Sequence, residues 1–81
     1  MESKVLDLIH EVWQHHPTMR FFQLLDWLEH EYSSRNNSFG KREGVEILAK
    51  GDKQPFSFID LYYLDDEHFE EFLLQIVSEQ R

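Results

Sequence analysis

The chain has no cysteine, and its 81 residues include only two prolines, three glycines and eight lysines and arginines. Without cysteine there is no disulfide, thiolate nucleophile or thiolate metal ligand, which fits a cytoplasmic protein. With so few glycines there is no Gly-x-Ser-x-Gly turn to expose a serine. Gly40-Lys41-Arg42-Glu43-Gly44 lacks the Lys-Ser/Thr that completes a phosphate loop. Bases are outnumbered by 16 acids, for a net charge of −8. Non-specific nucleic-acid affinity comes mostly from neutralising phosphate, so this balance opposes a DNA or RNA binder. It equally opposes adsorption to an anionic membrane. No apolar run approaches the roughly 20 residues of a membrane span, and Met1-Glu2-Ser3-Lys4 does not open like a signal peptide.

What is present is apolar enough to fold. Hydrophobic residues make up 41% and aromatics 15%, too many for a disordered segment. The length predicts one small domain over residues 1–81. Acids crowd the two ends: residues 1–32 carry a net of −4, residues 33–55 a net of +2, and residues 56–81 a net of −6. Turn formers fall mainly in the middle segment, which therefore reads as a connector between helical ends.

Val5, Leu8, Ile9, Val12 and Trp13 repeat at the spacing of one helical face. Ser3 is the expected N-cap and Pro17 the stop, with His15 and His16 in the last turn. Thr18 is expected to cap a second helix running to about Tyr32, with Phe21, Leu24, Leu25 and Leu28 inward. Residues 33–38 read as a loop. Partial alternation predicts a hairpin pairing roughly 45–49 with 56–63, and such a hairpin should lean on the helices because it is marginal alone. Phe69, Phe72, Leu73, Ile76 and Val77 define a last helix capped by Asp65 or Asp66. The expected class is α+β, mainly helical: three helices, with a small two-stranded β-hairpin between helix 2 and helix 3.

Five histidines in an acidic chain raise the question of a metal. A zinc helix places its two histidines four residues apart with a glutamate between them. The position four after His10 is Gln14, and His15 lies about 140° away round the helix. Neighbouring carboxylates such as Asp65/Asp66 and Glu70/Glu71 point in different directions on a helix. No catalytic residue, metal ligand set or cofactor is therefore expected. Polar residues inside apolar context stand out more: Arg20 and Gln23 in helix 2, and Asp60 within the run from Phe58 to Leu64. An arginine at a core edge needs a carboxylate, so Arg20 is expected to pair with Asp60 or Asp66.

Those residues also carry a resemblance. Trp13-x3-Pro17-x2-Arg20-x2-Gln23-Leu24-Leu25, followed by Asp60-x-Tyr62-Tyr63-Leu64-x-Asp66, resembles a group of small bacterial and phage proteins without established activity. It covers about a quarter of the chain. Tyr62 replaces the usual phenylalanine, Phe21-Phe22 stands where Leu-Gly is commoner, and the insert between the segments is longer. The resemblance implies one compact domain with Arg20, Gln23 and Asp66 acting as one unit.

The function expected from all this is a non-catalytic acidic protein-interaction module: a regulator, adaptor or phage-type inhibitor. Its partner would be another protein, one with a basic surface being favoured, contacted through Arg20, Gln23, Trp27, Asp60, Tyr63 and Asp66. A homodimer through an apolar strip of Met19, Phe22 and Trp27 is compatible with that role. The alternatives are a nucleic-acid-associated protein using Arg35, Lys41, Arg42, Lys50 and Lys53 and, least favoured, a small metal-dependent enzyme.

Overall fold

A computed structural model of the chain describes residues 3–80. Among these residues the order is α1 (Val5–Gln14), α2 (Phe21–Arg35), β1 (Lys41–Ile47), β2 (Lys53–Ile59) and α3 (Asp66–Gln80). The class is α+β as expected, with an antiparallel β1–β2 hairpin between the second and third helices.

Helices α1 and α3 pack closely together. The buried core is Leu8, Ile9 and Val12 from α1, Leu24, Leu28 and Tyr32 from α2, and Phe72, Leu73, Ile76 and Val77 from α3. These are the apolar faces that the helical spacing marks out. Val5, Trp13, Met19, Leu25, Trp27 and Phe69 pack partly buried around that core.

Helix ends follow local chemistry. The N-cap of α1 is Lys4, not the expected Ser3: the Lys4 carbonyl accepts the first helical bond from the Leu8 N–H at 2.9 Å, while Ser3, one residue earlier, accepts the Val5 N–H on its Oγ at 3.2 Å. α1 stops at Gln14, so His15 and His16 lie beyond it rather than in its last turn. Their amides reach back only three residues, to Val12 and Trp13, a tightened ending ahead of Pro17. α2 starts at Phe21, not after Thr18, because Gln23 closes its N-terminus: Gln23 Oε1 accepts the Arg20 N–H at 3.0 Å. It also runs a turn past Tyr32, through the stretch that reads as a loop. Ser33 is buried there, and Asn36 Nδ2 donates to the Tyr32 carbonyl at 2.8 Å. At the start of α3, Asp65 Oδ1 accepts the His68 N–H at 2.9 Å, as an N-cap should.

The hairpin departs furthest from expectation. Lys41 pairs with Ile59, Val45 with Pro55 and Ile47 with Lys53, a longer and shifted ladder compared with 45–49 against 56–63. Gly40 marks its entrance: at φ +78°, an added Cβ would sit 2.5 Å from the Asp60 carbonyl oxygen. At the far end Ala49-Lys50-Gly51 makes the connection, with the Leu48 N–H donating to Asp52 and Gly51 at φ +82°. Apart from half-buried Gly44 and Ile59, every residue of the two strands is exposed. No core residue lies between Tyr32 and Phe72. The hairpin therefore leans on the helices only lightly, mainly where β2 meets α2. The radius of gyration is 15.3 Å, against about 12 Å for a compact chain of this length, and the long axis reaches 48 Å.

Candidate protein-interaction surface

Arg20 caps α2 from an exposed position and forms no ion pair with Asp60 or Asp66, contrary to expectation. At the surface, water solvates its guanidinium, so no carboxylate is needed. The buttressed arginine is Arg35 instead. It donates from both terminal nitrogens to Glu79, at 2.6 and 2.7 Å, and from Nε to Glu31 at 3.3 Å. The guanidinium also lies 5.9 Å from the Phe72 ring centre. Hydrogen bonding to Glu79 raises the Arg35 pKa and lowers that of Glu79. This forked pair ties the end of α2 to the end of α3. The cue for it in the sequence is Glu31 four residues ahead of Arg35.

The six candidate residues fall into separate places. Arg20 and Gln23 meet at the start of α2 through the capping bond. Trp27 is half-buried, its ring 5.1 Å from that of His16. Asp60, Tyr63 and Asp66 lie along the segment between β2 and α3. Asp60 Oδ1 accepts the Tyr62 N–H at 3.0 Å, shaping the turn that presents Tyr62 and Tyr63. Those two rings meet edge-on at 5.0 Å and are 83% and 82% exposed. Asp66 joins Leu61, Leu64 and Phe69 around a shallow hollow of about 200 Å³. Among the described residues no hydrogen bond or ion pair links Arg20 or Gln23 to Asp60, Tyr63 or Asp66. Asp60 influences Glu29 of α2 instead: burial above all, then Asp26 and Asp60, raises the Glu29 pKa.

The strip expected for a homodimer is largely covered. Met19 and Trp27 pack on the core, and the Met19 carbonyl accepts the Trp13 Nε1–H at 2.7 Å. Of the three, Phe22 is the one left exposed.

Exposed apolar surface is concentrated on the hairpin instead. Val45, Ile47, Leu48, Phe56 and Phe58 are exposed, and Phe56 and Phe58 stack at 5.9 Å. The register puts Arg42, Gly44 and Glu46 on one face with Phe58, Phe56 and Gln54, and Val45 and Ile47 on the other with Pro55 and Lys53. Phe56 lies across Gly44, where an added Cβ would sit 2.5 Å from the ring tip. A depression of about 440 Å³ is bounded by Glu43, Gly44, Val45, Pro55, Phe56 and Ser57. Apolar residues at both alternating positions of β2 were the available cue, since a strand with one buried face alternates.

Among the described residues no group of three or more His, Asp or Glu is placed to hold a metal, and no helix is long and apolar enough to cross a membrane. The nearest titratable couple is His68 with Asp65, 2.6 Å apart and exposed. Hydrogen bonds from His68 lower the Asp65 pKa, and the bond to Asp65 raises that of His68. No known family model, curated protein or solved structure matches the chain.

Proposed function

We propose that this chain is a non-catalytic protein-interaction module whose contact surface is the β1–β2 hairpin together with the Tyr62–Tyr63 turn. The observation that carries the reading is the exposure of Val45, Ile47, Phe56 and Phe58 on an arm held off the helical core. Stacked Phe56 and Phe58 on one face, with Val45 and Ile47 exposed on the other, give the arm the kind of apolar surface that marks a protein contact, and tyrosines and phenylalanines are the residues enriched there.

Charge adds selectivity. The segment 41–59 holds four bases and three acids, so the rest of the chain carries a net of −9. An acidic body behind a nearly neutral apolar arm favours a partner with a basic surface beside its apolar contact, because complementary charge speeds encounter and rejects wrong partners. Arg35 is held by Glu79 and Glu31, which removes one of the five bases that a phosphate-binding reading would use.

The test is affinity capture of the tagged protein from native lysate, with and without nuclease. It compares the wild type with a Phe56→Ser/Phe58→Ser variant of unchanged helical circular dichroism. Capture that survives nuclease and is lost in the variant is expected. Capture abolished by nuclease, or equal in both proteins, overturns the reading.

A further inference from the structure

The phase of the hairpin ladder determines what its two outer edges offer. Asp60 donates to Gly40 and Leu48 donates to Asp52, so the hydrogen-bonded pairs are the even-numbered ones, including Arg42/Phe58, Gly44/Phe56 and Glu46/Gln54. Odd-numbered residues therefore turn their N–H and C=O outward. On β2 the middle outward position is Pro55, which has no N–H to offer; proline there costs the hairpin nothing and interrupts that edge. On β1 the outward residues are Lys41, Glu43, Val45 and Ile47. The Lys41 N–H donates to Ser38 at 3.1 Å, while those of Glu43, Val45 and Ile47 have no partner among the described residues. One edge is blunted and the other left open, and β2 rather than β1 carries the main contact with α2. An open edge of this kind is a template for another strand.

We propose that the β1 edge pairs with β1 of a second copy of this chain, antiparallel about a two-fold axis at Gly44, giving a four-stranded sheet in the order β2–β1–β1–β2. This pairing rests on reading the hairpin as a contact surface and names the occupant of its open edge. Charge selects both the occupant and the register. Centring on Gly44 sets Arg42 of each copy opposite Glu46 of the other, twice by symmetry, and neither residue has an ion-pair partner among the described residues of its own chain. Glu43 then faces Val45, and the two chains exchange backbone bonds there. Shifting the axis to Glu43 or to Glu46 places like charges directly opposite, which is destabilising. Shifting it to Val45 leaves Arg42 opposite Leu48 and forfeits both ion pairs.

The apolar face agrees with the same register. Gly44 meets Gly44 at a close, non-hydrogen-bonded position with Cα atoms about 4.5 Å apart. Each Phe56 ring tip already lies over its own Gly44, so the two rings touch across the seam. Stacked Phe56 and Phe58 then continue into their copies as one aromatic row. A side chain at position 44 would separate the rings. The acidic helices stay at the outer ends, and the nearly neutral arms meet.

The test is sedimentation equilibrium of the purified full chain across a wide concentration range. The wild type should move from its 9.9 kDa monomer mass to twice that mass. Arg42→Glu sets Glu against Glu46 at both ends of the seam and should remain monomeric. The double variant Arg42→Glu/Glu46→Arg restores both pairs with reversed sign and should recover the dimer. Val45→Pro removes an outward donor without touching a ladder bond and should also remain monomeric. A wild type that stays monomeric at every concentration overturns the pairing. So does a dimer insensitive to Arg42→Glu, or one that the double variant fails to restore. A monomeric wild type that still captures a lysate protein through the Phe56 face removes the second copy while leaving the module reading in place; a monomer that captures nothing removes both.

Discussion

The helical body and the hairpin arm differ in what holds them together. In the body, apolar side chains are withdrawn from water on three helices at once, with Val12, Leu24, Leu28 and Leu73 fully buried. In the arm, seven residues on each strand are joined by a ladder and a turn, and all but Gly44 and Ile59 are exposed. A two-stranded hairpin alone is marginal in water, so the body supplies nearly all of the stability while the arm contributes surface. Residues that look alike in a sequence thus do opposite jobs: Phe72 anchors the core, whereas Phe56 is offered outward.

The sharpest way to break this division is to truncate one residue on each side of it. Leu73→Ala leaves a cavity between packed helices and should lower unfolding free energy by about 2–5 kcal/mol. Phe56→Ala, despite removing a larger side chain, should change it by no more than about 0.5 kcal/mol. Urea denaturation followed by circular dichroism measures both. Comparable losses would mean that the arm is part of the cooperative core.

The next effect in size belongs to the junction of α2 and α3. Arg35→Met loses the forked pair with Glu79 and the guanidinium over the Phe72 ring. It should lower the denaturation midpoint by less than Leu73→Ala does, and the difference from wild type should shrink in high salt. A salt-independent loss would locate the contribution in packing rather than charge.

The start of α3 should respond to pH. His68 has a raised pKa in the fold, so its contribution is fully present below its ordinary value and is lost as pH rises through the folded value. Asp65 has a lowered pKa, so its contribution is present above its ordinary value and is lost as pH falls through the folded one. The start of α3 is therefore best supported in mildly acidic solution, between about pH 4 and 6.5. Asp65→Asn should flatten the melting temperature against pH on both sides of that window. The smallest expected effect is Glu29→Gln. The folded state raises the pKa of Glu29, which makes its charged form unfavourable there, so the substitution should slightly stabilise the protein at neutral pH.

Much of the body could be read from residue spacing alone. Leu8, Ile9 and Val12, like Phe72, Leu73, Ile76 and Val77, announce their buried faces at a helical period. The class and the presence of a hairpin were legible for the same reason. Its register was not, because with neither face buried the hydrophobic pattern specifies register only weakly. Lys41-Arg42-Glu43 could join β1, where a buried face would have excluded them. The Arg20 partnership failed for a related reason: its spacing within helix 2 tells which residues are near it in sequence, while its capping position leaves it in water. Arg35 and Glu79 are 44 residues apart, beyond the reach of any local pattern. The exposure of Phe56 and Phe58 was not legible, since apolar residues announce burial and contact surface alike.

The most direct test of the division between body and arm is native-state hydrogen exchange at two protein concentrations. In dilute solution the ladder amides of Arg42, Gly44, Phe56 and Phe58 should exchange through local opening, far faster than those of Leu28 and Leu73, and Leu73→Ala should leave their rates unchanged. On concentration, the outward amides of Glu43, Val45 and Ile47 should gain protection while those of Ser57 and Ile59 do not. Hairpin amides that exchange at the rate of the core, with no dependence on concentration, would contradict both the independence of the arm and its pairing.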